Sequence, residues 1–152
     1  ADDHPIVIAG LRMMIGKADD ITILAEAGDG KLAIEAIEEH SPAVSVLDIE
    51  MPQMTGLDGM REIRKRGLQT RPIVLTLHDD RDIFHRAIEL GAMGYIIKDS
   101  APHDIVRAIR RVAAGDHYVG ELGESSQGQK VNSRSGQLLA VESLTAAERR
   151  VL

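Results

Sequence analysis

The chain has 152 residues, 43% of them hydrophobic, which suits one ordinary domain with an appendage. It lacks cysteine, which excludes disulfides and thiolate metal sites, and it has neither a basic-apolar leader nor an apolar run near the roughly 20 residues needed to span a bilayer, so a cytoplasmic protein is expected. The formal charge of −6 falls wholly on residues 1–118, with 20 acidic against 14 basic residues, which makes that part a poor nucleic-acid surface.

In chain order, Asp2 and Asp3 precede a helix expected over 5–15, and the apolar run at 21–27 reads as a strand. A helix over 30–40 follows. The strand at 43–47 leads into Asp48 and the sharp Met51-Pro52 loop, and the next helix is expected over 57–66. The strand at 72–77 carries Thr76, a helix spans 81–91, and the strand at 94–98 carries Tyr95 and ends at Lys98. A last helix covers 101–114, with Ser100 as its cap, Pro102 in its first turn and Gly115 at its end. Residues 119–143 are rich in Gly, Ser and Gln, as a linker is, and in 144–152 Thr145 and Glu148 have the spacing of a capping box. Strands alternating with helices predict an α/β doubly wound parallel sheet.

Such sheets bind ligands at the rim formed by the carboxyl ends of their strands. Asp48, Thr76 and Lys98 each end an apolar run, so they meet there with Asp2 and Asp3. Two carboxylates in contact repel by roughly 1 to 4 kcal/mol in a surface-like dielectric, so three need a cation among them. Mg²⁺ takes a few carboxylates while keeping waters and phosphate oxygens. With the cluster neutralised, one carboxylate can act as nucleophile and form an acyl phosphate. Asp48 is the candidate nucleophile, Asp2 and Asp3 hold the metal, and Lys98 and Thr76 meet the phosphoryl oxygens.

The segments ADDHPIV (1–7), SVLDIEMPQMTGLDGM (45–60), PIVLTLHDD (72–80) and GAMGYIIKDS (91–100) resemble the receiver domain of two-component response regulators. The DDHP opening and the Lys-Asp-Ser at 98–100 resemble the NarL/FixJ branch, and LTAAERRVL resembles the start of a LuxR-type helix-turn-helix. The resemblance implies a flavodoxin-like five-stranded fold over residues 1–118, phosphorylation of Asp48 by a cognate sensor histidine kinase, and Mg²⁺ on Asp3, Asp48 and the Glu50 backbone carbonyl, with Asp2 acting through a water. Thr76 is then the switch hydroxyl, Tyr95 the aromatic that reorients with it and Lys98 the phosphoryl partner, while Glu50 and His78 tune hydrolysis. It further implies homodimerisation on phosphorylation, DNA contact only through a complete output domain, and no enzymatic turnover beyond self-phosphorylation and self-dephosphorylation.

The same resemblance places an apolar strand ahead of the first acidic pair, where the sequence opens at Ala1. That strand would bury about five side chains, at roughly 1.5 to 3 kcal/mol each. Residues ahead of Ala1 are the expectation, and a strand borrowed from another molecule the alternative. A phosphatase of the haloacid-dehalogenase kind also phosphorylates an aspartate, but it wants a second Asp where Glu50 stands; a pseudo-receiver would have lost one of the five polar residues. His4, His78 and His85 lack a matching ligand spacing and read as surface or supporting groups. The basic run Arg61, Arg64, Lys65, Arg66 reads as a solvated helix end, and Arg107, Arg110 and Arg111 as a solvated face or a dimer or kinase contact. The helix over 5–15 is apolar nearly all round, and Ile8 and Ile15 are expected to face outward, toward a kinase or a second receiver.

Overall fold

The computed structural model describes residues 1–120, so the expected helix start at 144–152 and the linker beyond residue 120 lie outside the described residues. Its elements are α1 (Pro5–Ile15), α2 (Gly30–His40), β1 (Val44–Asp48), α3 (Gly56–Lys65), β2 (Arg71–Thr76), α4 (Arg81–Glu89), β3 (Gly94–Ile97), α5 (Ala101–Ala113) and β4 (Tyr118–Val119). The strands form one parallel sheet in the order β1-β2-β3-β4.

Alternation along the strands builds two cores. Leu47, Val74 and Tyr95 pack with α2, α3 and α4 through Ile34, Ile37, Met60, Ile63 and Ala87. Ile73, Leu75 and Ile96 point the other way, against Leu11 and Ile15 of α1 and Ile105, Ile109 and Val112 of α5. Because both faces of the sheet are covered, β2 is apolar along nearly its whole length, as an internal parallel strand should be.

Local chemistry fixes the helix starts. Asp29, Thr55 and Asp80 cap α2, α3 and α4 by accepting backbone N–H groups of Leu32, Asp58 and of Asp82 with Ile83. Ser100 stands at the cap position of α5, but its hydroxyl donates to Ile97 O instead, so the expected side-chain cap is not made.

Three further expectations are corrected. Residues 21–27 are not a strand: Asp2 N–H donates to Ala27 O, but among the described residues the run forms no ladder with another strand. Val119 belongs to β4, paired with Tyr95, and Gly120 N–H donates to Tyr95 O, so the domain reaches past 118 and the expected linker start at 119 is too early. Ile8 and Ile15 do not face outward. At 100° per residue Ile8, Leu11 and Ile15 share one face, and Ile15 is buried; the outward pair is Ile6 and Met13, 86% and 64% exposed.

Gly56 holds α3 against the carboxyl end of β1. Its N–H donates to Ile49 O at 2.9 Å, and a Cβ at this position would run into the backbone carbonyl of Asp48. Alanine would gain about 1 kcal/mol of helix preference, yet backbone cannot give way as a flexible side chain can. The Gly56→Ala variant should therefore lose roughly 1 to 3 kcal/mol net, read as a lower urea midpoint; an unchanged or raised midpoint would show that the 48–56 loop yields freely.

Candidate functional site

The rim receives its side chains from four places: the chain start, and the ends of β1, β2 and β3. Asp2 and Asp48 are buried, at 0% and 2% exposure, and Lys98 lies between them with Nζ 2.7 Å from Asp2 Oδ2 and 3.0 Å from Asp48 Oδ2. Backbone bonds set this geometry. Asp2 N–H donates to Ala27 O and Asp48 N–H to Ala1 O, which ties the opening residues to β1; Lys98 N–H donates to Thr76 O.

The charges shape one another. Burial pushes the Asp48 carboxyl above its ordinary value, and the neighbouring Asp2 charge adds to this against the pull of Lys98. Burial pushes on Asp2 as well, but Lys98 and the backbone and ring of His4 outweigh it and hold Asp2 below the usual carboxylate range. Lys98 is raised, its desolvation being outweighed by the two carboxylates.

Ligand atoms of Asp2, Asp3, His4 and Asp48 all lie within 4.8 Å of one another. Asp2 Oδ2 and Asp48 Oδ2 are buried, and both face the Lys98 ammonium. Three carboxylates against one ammonium leave two negative charges, which a divalent oxygen-loving cation would neutralise. The donor set fits Mg²⁺.

His4 was set aside in the sequence and belongs here. Its backbone N–H and Nδ1 both reach Asp2 Oδ1, at 2.9 and 3.1 Å, and Nδ1 lies 3.0 Å from Asp3 Oδ1. Direct adjacency to Asp2 and Asp3 was the available signal; a search for metal-ligand spacing between separate segments passes over it.

Thr76 is buried, and its Oγ1 accepts the His78 backbone N–H at 3.1 Å. The His78 ring meets Glu50, Nε2 to Oε1 at 3.2 Å, and Glu50 N–H donates to Asp48 Oδ1 at 3.3 Å. Tyr95 is fully buried, edge-on to Phe84 of α4 with centroids 5.1 Å apart, and its hydroxyl donates to His78 O at 3.3 Å. Burial raises that hydroxyl to about 12, so it stays a donor. All eight residues expected at the site, Asp2, Asp3, Asp48, Glu50, Thr76, His78, Tyr95 and Lys98, thus lie on one rim or in the hydrogen-bond chain behind it. The arginines do not join them. Arg110 makes a two-pronged pair with Asp20, while Arg61 pairs with Asp58 and Arg66 with Glu62 and Glu38, which is the solvated pairing expected of the basic run. Among the described residues no helix is long and apolar enough to cross a membrane.

Comparison with known proteins gives this rim its context. The chain is 35% identical over 120 residues to the nitrate/nitrite response regulator protein NarL of Escherichia coli, spanning 79% of this chain and 56% of that protein. It is 32% identical over 152 residues to the transcriptional regulatory protein MctR of Rhizobium johnstonii, spanning 99% of this chain and 68% of that one. The chain therefore spans little more than half the length of NarL. Among solved structures, a LuxR-family DNA-binding response regulator from Staphylococcus aureus matches with a TM-score of 0.70 and 34% identity, over 74% of this chain and 94% of that one. The sequence profile of the response regulator receiver domain matches residues 1–110, and with the parallel sheet and the acidic rim it establishes that the chain belongs to the response regulator receiver family, among NarL-type relatives.

Proposed function

We propose that this chain receives a phosphoryl group on Asp48 from the phosphohistidine of a sensor kinase and so governs a DNA-binding output domain that regulates transcription. The observation that carries the reading is the buried Asp48 carboxylate beside Lys98 at the mouth of an acidic rim. An Asp48 oxygen attacks phosphorus as the P–N bond to the kinase histidine breaks. Lys98 turns from the carboxylates to the arriving phosphoryl oxygens, and the Thr76 hydroxyl donates to another.

Asp3, Asp48 and the Glu50 backbone carbonyl would hold Mg²⁺, with Asp2 reaching it through a water. The ion supplies charge neutralisation that lets anionic carboxylate and phosphoryl group approach. Glu50 and His78 frame the mouth and govern how readily water reaches the acyl phosphate. The hydrogen-bond chain from Thr76 through His78 to Tyr95 carries the change toward α4, biasing a two-state surface that sets dimerisation and the release of the output domain. Family membership supports the kinase and DNA as partners and a cytoplasmic setting, and the chain acts as a phosphoacceptor, not as an enzyme with turnover on other substrates.

Treatment with acetyl phosphate and Mg²⁺ followed by Phos-tag electrophoresis should give one retarded band, and Asp48→Asn should abolish it. A full band in that variant would move the phosphoacceptor elsewhere.

The raised Asp48 group adds a stability signature. A carboxyl favoured in its protonated form by folding contributes stability below its ordinary value and loses it as pH rises through the raised one, so at neutral pH the ionised group opposes folding. Without metal, Asp48→Asn should melt a few degrees higher at neutral pH, with the gap closing toward acid; a lower melting point at neutral pH would reverse the assigned balance.

Removing the cation does the opposite. Lys98→Met leaves two buried carboxylates facing each other, and should cost about 3 to 5 kcal/mol at neutral pH. Without the ammonium, burial and mutual repulsion would favour the protonated form of both carboxyls, so denaturant midpoints should recover as acid protonates them. Loss that is the same at neutral and acid pH would mean that Lys98 contributes packing and not charge.

A further inference from the structure

His4 stands at the cap position of α1, yet its side chain makes no capping hydrogen bond to the helix. The backbone there is extended, with φ −96° and ψ 110°, and Pro5 follows at the first helical position, which confines the preceding residue to such a conformation. The ring turns back across its two acidic neighbours instead. Nδ1 is 3.1 Å from Asp2 Oδ1 and 3.0 Å from Asp3 Oδ1, while the His4 backbone N–H donates to Asp2 Oδ1 at 2.9 Å.

Lys98 and His4 take opposite oxygens of Asp2. The ammonium faces Asp2 Oδ2 and Asp48 Oδ2, which leaves Asp2 Oδ1 to the imidazole, beside Asp3 Oδ1. With Asp48 included, each of the four residues offers one ligand atom within 4.8 Å of the others. Around an octahedral ion with bonds of about 2.1 Å, adjacent ligand atoms stand about 3.0 Å apart. The His4 ring already keeps that spacing from Asp3. Facing oxygens that only accept, Nδ1 carries the ring hydrogen; the ring is 58% exposed, so the neutral tautomer with that hydrogen on Nε2 can be served by water and frees the Nδ1 lone pair.

We propose that His4 Nδ1 is a ligand of the rim cation, and that this nitrogen shifts the rim's preference from Mg²⁺ toward a divalent first-row transition ion of the Co²⁺ or Zn²⁺ kind. The inference rests on the reading of the rim as a cation site and adds the choice of ion. Mg²⁺ prefers oxygen and gives up its waters reluctantly, so an imidazole does little for it. Co²⁺ and Zn²⁺ take imidazole nitrogen readily while still accepting carboxylates. Without such an ion, the same nitrogen bridges Asp2 and Asp3 by hydrogen bonding. The ring therefore keeps one position in both states, and only its hydrogen changes place.

The test uses the 152-residue chain with Co²⁺ and Mg²⁺ as probes. Isothermal titration gives the affinity of each ion. Proton NMR of the Co²⁺ form reads the ligand directly, because an imidazole bound through one nitrogen shows its other N–H as a strongly shifted signal that vanishes in heavy water. Expected are one Co²⁺ per chain, displaced by excess Mg²⁺, and one such signal. His4→Phe should lose the signal, and its preference for Co²⁺ over Mg²⁺ should be at least about tenfold smaller. His4→Asn, which restores a hydrogen bond to the carboxylates but no imidazole nitrogen, should behave like His4→Phe. Restoration of the preference by asparagine, an equal loss of both ions in His4→Phe, or an unchanged signal in that variant would overturn the proposal and leave the cation site standing. Failure of both ions to bind the unaltered chain would overturn the cation site and this proposal with it.

Discussion

Lys98 between Asp2 and Asp48 is the interaction on which the rest of the site depends. Two buried carboxylates this close would otherwise be driven to protonate or to part, and either outcome would dismantle the acidic rim. The ammonium lets both remain inside and unequal: Asp2 is held ionised while Asp48 sits higher. With Asp3 included the rim carries more carboxylate than the one ammonium of Lys98 balances, so a cation held there by Asp3 and Asp48 would lower the repulsion and share the carboxylates with Lys98.

Backbone, more than side chains, makes this arrangement possible. Parallel strands bring β1, β2 and β3 to one edge, and the closing bonds at each end, Ile49 N–H to Leu75 O and Lys98 N–H to Thr76 O, lock the neighbouring ends in step. Behind the rim, Thr76, His78, Tyr95 and Phe84 form an unbroken series of contacts into α4. Tyr95 lies fully buried, with its hydroxyl on the His78 carbonyl and its ring against Phe84. A change in Thr76 would therefore be felt first as tension on the His78 backbone, which both Thr76 and Tyr95 bond, and only afterwards at the ring.

The rim was legible in the sequence because its residues sit where apolar runs end, a feature that period and order reveal without any contact being known. Asp48, Thr76 and Lys98 were placed this way, and the five helices likewise. What failed was whatever depended on a neighbour. Ile21 to Ala27 have a strand's composition, but a strand needs a partner, and among the described residues none pairs along this run. Tyr118 and Val119 are too short a run to stand out, and become a strand only against β3. Ser100 has a capping side chain that finds Ile97 O a better-placed acceptor. The misjudged face of α1 was different, since the phase of Ile8, Leu11 and Ile15 was available from the helical repeat alone.

Asp2 owes its place at the rim to backbone bonding on two sides. Its N–H donates to Ala27 O, while Ala1 donates to Val46 O and accepts from Asp48 N–H, which sets these residues parallel to β1. The burial of Asp2 follows from this placement, and so does its contact with Lys98 from the end of β3. Asp48 belongs to β1, and the next residue is tied to β2 by Ile49 N–H to Leu75 O. The two carboxylates that share one ammonium are therefore carried by different parts of the backbone, and a disturbance near Ala27 would move Asp2 first and reach Asp48 through the shared ammonium.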